Sequence, residues 1–225
     1  MLKQAFKFMS VLVLILGLSL LCSNAFAQGA MKDKMMDKMG SEMSCTKAGL
    51  DLRLAMRKLW EDHIEYTRNY IISALADLED VDAIAGRLLK NQDDIGNAVK
   101  PYYGEDAGNK LASLLRDHIL IATEVVKAAK MGNNEDLATA SKKWDANGDD
   151  IAAFLSGANP NWPKKDLTDM LKKHLELTTA EVVSRLKKDW AADIASYDEG
   201  HVHMLMFADM LTDGIVKQFP DQFKR

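Results

Sequence analysis

The chain has 225 residues, with 29 Lys and Arg against 33 Asp and Glu and a formal net charge of -4. Its lysines are interspersed with acidic residues, so no basic face forms and nucleic acid is excluded as a partner class. The length suits one domain with a sizeable core and excludes an array of separate domains.

Residues 1–27 carry Lys3 and Lys7, an apolar run from Val11 to Cys22, and Ala25-Phe26-Ala27 before Gln28. A basic start, a short apolar core and an A-x-A site describe a secretory signal peptide, so the expected location is periplasmic or secreted. Leu20 and Leu21 before Cys22 are a poor match to lipoprotein processing, which favours small residues there. Cleavage removes Lys3 and Lys7, taking the formal charge from -4 to -6, and leaves Cys45 as the one cysteine, without an intrachain partner. No later run reaches the roughly 18–20 apolar residues of a membrane helix, so no transmembrane segment is expected in the mature chain.

Residues 28–49 read as a flexible tether. Met31, Met35, Met36, Met39 and Met43 recur among Lys, Asp and small residues, which bury little apolar surface. Thioethers also favour soft metals such as Cu(I).

Residues 50–220 read as one helical-bundle domain. Leu52, Met56, Leu59, His63, Tyr66, Tyr70, Ala74 and Leu78 recur every three or four positions, the mark of an amphipathic helix. Leu111, Leu114, His118, Ile121, Val125 and Ala128 repeat the pattern, as do Leu167, Met170, His174, Leu177 and Val182. One histidine falls on each apolar stripe. A second helix type alternates with these, over 80–99 with Asn91-Gln92-Asp93-Asp94-Ile95 and over 134–155 with Asn147-Gly148-Asp149-Asp150-Ile151. His118 and His174 are 56 residues apart, as are Asn91 and Asn147, while His63 lies 55 before His118. The same offset carries Asn147 onto His203 in the last helix. The fold class expected is therefore all-α, a bundle of about three repeated αα-hairpins with five to six helices. Pro101-Tyr102-Tyr103-Gly104 and the segment from Gly157 to Pro163 separate the hairpins, with turns at 133–135 and near Asp189.

The inward histidines are the first chemical candidates. Neutral imidazoles ligate zinc, copper, iron or haem, and His63, His118 and His174 can share one ion if the hairpins close around a common axis. If the hairpins stack as an open row, packed helices stand roughly 8–10 Å apart and no ion is shared. Asn91, Asp94, Asn147 and Asp150 are candidates to orient those histidines or bind a ligand, since residues three apart share a helix face. His203 joins them by register. Arg68, beside Tyr66 and Tyr70, is a candidate for an anionic or aromatic ligand. Asp198-x-x-His201 and Glu199 offer a carboxylate–imidazole pair, but a di-iron bundle needs Glu-x-x-His twice. Trp144, Trp162 and Trp190 read as packing anchors. No Gly-rich phosphate loop, G-x-S-x-G elbow or C-x-x-C pair is present.

Leu59-Trp60-Glu61-Asp62-His63, Arg87-Leu88-Leu89-Lys90-Asn91, Pro101-Tyr102-Tyr103-Gly104, Leu175-Glu176-Leu177-Thr178 and Gly214-Ile215-Val216-Lys217-Gln218-Phe219-Pro220 resemble a family of uncharacterised helical bacterial proteins, over about Leu59 to Pro220. Some members are labelled glycosyltransferase or acetylglutamate kinase; both chemistries normally need nucleotide-binding α/β folds, and no strand is expected here. The resemblance implies a helical fold and transfers no activity. Three functions remain open: a module binding a metal ion or small ligand through the inward histidines, a purely structural or protein-interaction module, and a metal-dependent enzyme with a three-histidine site. The cofactor such a site implies is a transition metal ion.

Overall fold

The computed structural model describes residues 46–224, which belong to one compact unit. The expected signal peptide, Cys45 and most of the tether lie outside the described residues. Five α-helices follow one another: α1 (Lys47–Leu75), α2 (Val81–Met131), α3 (Asn134–Ala158), α4 (Lys164–Leu186) and α5 (Trp190–Gln218), then a 3-10 turn, Pro220–Phe223. No strand occurs among the described residues, and no helix there is long and apolar enough to cross a membrane. The fold is an all-α bundle.

Local chemistry sets the boundaries. Thr46 caps α1 by accepting from the Gly49 N–H at 3.2 Å, so the helix begins ahead of the expected domain start at residue 50. Asn133 caps α3, and Asp189 caps α5 through the Ala192 N–H. At the far end the domain extends past residue 220, because Phe223 is buried and stacks on Tyr102 at 5.8 Å.

The segment Pro101–Gly104, expected as a break between hairpins, is where α2 is interrupted and divides into two helical arms. Pro101 has no backbone N–H to donate, and Gly104 takes φ 83° and ψ 171°, a conformation L side chains rarely adopt. The helix therefore folds back on itself without a loop. Arg116 meets Asp93 at 3.0 Å, and a Cβ built on Gly96 would lie 2.6 Å from the Gly108 carbonyl oxygen. The two arms, 81–103 and 105–131, run antiparallel in backbone contact.

Three helix ends close in one way. Leu78 N–H reaches the Ser73 carbonyl, Asn133 N–H the Ala128 carbonyl and Asp189 N–H the Ser184 carbonyl, at 2.9–3.1 Å. The residue before each donor sits at positive φ: Asp77 (53°), Gly132 (66°) and Lys188 (59°). These tips reverse the chain, so α1, the second arm of α2 and α4 run parallel while the segments between them return.

The last helix closes the ring. Arg57 Nε donates to Asp209 at 2.7 Å and Arg53 pairs with Asp213, joining α1 to α5. Inside, Met56, Leu111 and Leu167 are buried in one register, and Ile71, Val126 and Val182 pack as one cluster nearer the tips. One polar layer lies between.

Candidate functional site: a buried histidine layer

That layer is His63, His118 and His174, one from each parallel helix, all buried. Each lies seven residues after the inner apolar layer and eight before the outer one, so helical periodicity turns it to the interior. Ring closure then brings the three together. The His63 and His174 ring centroids are 5.5 Å apart, and those of His118 and His174 are 5.9 Å apart, tilted by 25°.

The surrounding contacts assign the rings different tasks. The Asn147 amide nitrogen donates to the Leu114 carbonyl at 3.0 Å, which turns its oxygen toward His118 Nδ1, 2.8 Å away. His118 therefore carries its proton on Nδ1, and its Nε2 lone pair accepts from the Trp144 indole N–H at 3.1 Å. Both nitrogens are satisfied. His63 Nδ1 has only Gln92 Nε2 at 3.4 Å, an amide that also donates to the Leu88 carbonyl and the Asn91 side chain. His174 Nδ1 is buried with no hydrogen-bond partner among the described residues.

Burial is the main cause holding all three rings neutral. It lowers His63 to about 3, with the neighbouring His118 adding to the effect, and lowers His118 to about 4 despite the Asn147 bond. His174 falls well below the ordinary imidazole value through burial and then the proximity of His63, His118 and His203. All three line a cavity of about 20 Å³, with Thr67, Tyr70, Trp144 and Thr178 among its other walls. Such a space holds about one water molecule or one ion.

Of the other sequence candidates, Asn91, Asn147 and His203 share one task. Asn91 donates to the Leu59 carbonyl at 3.0 Å, Asn147 to that of Leu114, and His203 Nε2 meets the Met170 carbonyl at 2.8 Å. Each acceptor lies four residues before a histidine of the layer, so these side chains tie the returning helices to the histidine helices. Only Asn147 also bonds a layer imidazole. Asp94 and Asp150 do not join the layer: Asp94 pairs with Lys90 at 2.7 Å, and Asp150 is exposed. Three residues leave an offset of roughly 60° on the helix, which puts Asp94 at the half-buried edge, paired with Lys90 instead of facing the layer. Arg68 is held by Glu181 at 2.6 Å and Asp193 at 2.9 Å, with its guanidinium 4.7 Å from the Tyr197 ring centroid. Its donors face protein carboxylates. His201 meets Glu61 at 3.0 Å and stacks on Tyr197, Glu199 reaches Lys173, and Asp198 is exposed.

Two roles escape the sequence, one in the layer and one outside it. Trp144, a packing anchor by sequence, is also a hydrogen-bond donor to His118; its place three residues before Asn147, on the same face, is the available signal. Glu181, outside the layer, is paired with Arg68. Burial, opposed by Arg68, pushes its carboxyl up to about 7, while the combined hold of Arg68 and Arg185 keeps Asp193 low against its own burial.

Among the described residues no three His, Cys, Asp or Glu side chains stand ready-made as a metal cage. His118 Nε2 is engaged by Trp144, which leaves that ring without a free lone pair. No family model, curated protein or solved structure matches the chain.

Proposed function

We propose that this is an exported helical bundle whose buried histidine layer binds one transition-metal ion. The observation that carries the reading is the convergence of three neutral imidazoles on one cavity, with His174 Nδ1 left without a protein partner. Neutral imidazole is the ligand form of histidine, so a site that keeps its rings unprotonated needs no proton release to bind. The cavity, about 20 Å³, suits one ion or one water molecule better than a larger ligand. Three histidines with one further position match zinc or copper chemistry better than that of hard oxygen-seeking ions. Export rests on the signal-peptide pattern of residues 1–27.

The reading also draws on internal repetition. The positive-φ residues, the tip bonds and the ties from Asn91, Asn147 and His203 recur at offsets of 55 and 56 residues, which supports three hairpins built on one plan around the layer. Burial of the layer favours holding an ion over turnover at an open position.

The test is equilibrium uptake of Zn(II) and Cu(I) by mature protein, with His63→Ala, His118→Ala and His174→Ala alongside. Each variant should lose at least tenfold in Zn(II) affinity, roughly what loss of one metal-ligand hydrogen-bonding or coordinating group costs. Unchanged uptake in all three would remove the layer as the site. A second reading, a structural polar layer, is favoured by one observation: both His118 nitrogens already have protein partners.

A further inference from the structure

Trp144 occupies a position that packing alone leaves undetermined. At the equivalent places in the other two hairpins stand Leu88 and Gly200, 56 residues to either side. Leu88 lines the same cavity but has no side-chain donor, and Gly200 has no side chain. Only the middle hairpin therefore brings a side-chain N–H from this position to a histidine of the layer.

The consequence follows from the tautomer. With its proton fixed on Nδ1 by Asn147, His118 has one lone pair to offer, on Nε2, and the Trp144 indole N–H already occupies it at 3.1 Å. Indole is a donor only and cannot reverse its role. We infer that Trp144 sets the metal affinity of the layer by competing with the ion for His118 Nε2. Binding moves the lone pair from the indole hydrogen to the ion, leaves the proton on Nδ1, and leaves a buried indole N–H to find another acceptor. His174 Nδ1 has no such competitor among the described residues, and His63 Nδ1 faces only the longer 3.4 Å approach of the Gln92 amide. They would engage the ion first, and His118 would complete the set as Trp144 withdraws. This inference rests on the metal reading of the layer.

The experiment compares wild type with Trp144→Phe, which keeps an aromatic ring against Val125, Ala140 and Leu175 and removes the donor. Zn(II) affinity is measured by competition with a chromophoric chelator. The variant should bind about 3- to 10-fold more tightly, the span of one net hydrogen bond. General damage to the core would loosen binding instead, so equal or weaker binding overturns the inference. In wild type, the 15N-labelled Trp144 indole N–H signal should shift and lose its protection from exchange as one equivalent of Zn(II) enters. An unchanged indole signal at saturation overturns the inference while leaving the metal reading standing. That wild-type measurement decides the matter alone should Trp144→Phe not fold. Absence of Zn(II) binding by wild type overturns both readings.

Discussion

His118 and His174 are equally buried, 3 % exposed each, yet their nitrogens meet different surroundings. His118→Leu would strand the Asn147 oxygen and the Trp144 N–H, and should destabilise the protein by about 2–4 kcal/mol, the cost of unsatisfied buried groups plus packing loss. His174→Leu removes an unpartnered nitrogen at similar volume and should change stability by less than about 1 kcal/mol. Urea unfolding at pH 7.5 separates the two; equal losses would mean that the hydrogen-bond assignments do not govern the layer. A position of this kind is legible in sequence only up to its inward direction. Periodicity placed His63, His118 and His174 on apolar stripes, but whether they met depended on α5 closing against α1, which no local pattern encodes. Trp144 was visible as a large buried residue, whereas its bond to His118 depends on how two helices are rotated against each other.

The helices themselves were largely legible, because capping residues and 3.6-residue periodicity are local properties. Their joins were less so. The break at Pro101–Gly104 was visible, but not that Gly104 at φ 83° would reverse the chain there without an intervening loop, with Gly96 and Gly108 letting the arms meet at the backbone. Gly96→Ala should therefore cost about 2–4 kcal/mol through overpacking. Gly86→Ala, with nothing within 4 Å of the added Cβ, should instead stabilise by about 0.5–1 kcal/mol through helix propensity. Thermal melts of the two variants should shift in opposite directions. The tips offer a second check. Gly132 holds the left-handed position at the middle tip, while Lys188 strains to hold it at the last. Lys188→Gly should raise stability by about 1 kcal/mol, and a loss in the melt would contradict the tip geometry.

At the scale of the molecule, the neutral layer makes folding sensitive to acid. An unfolded imidazole titrates near 6.5, whereas His63 titrates near 3 and His118 near 4 in the fold, and His174 also lies well below the ordinary value. Between these limits the unfolded chain binds more protons. The contribution is therefore fully present above about pH 6.5 and is lost as pH falls toward the folded values, at up to about 4 kcal/mol per pH unit for three rings. Glu181, raised to about 7, works the other way between its unfolded and folded values, but it is one group against three. Urea midpoints at pH 7.5, 6.0 and 5.0 should fall steeply, and a flat profile would contradict a buried neutral layer.

A metal ion held by the layer would be coordinated by its imidazoles. X-ray absorption at the zinc edge, on mature protein loaded with one equivalent of Zn(II), reads that coordination shell. Three nitrogen neighbours at about 2.0–2.1 Å with the multiple-scattering signature of imidazole, lost in His174→Ala, are the predicted result. A shell of oxygen neighbours alone, or a spectrum unchanged by His174→Ala, would contradict it.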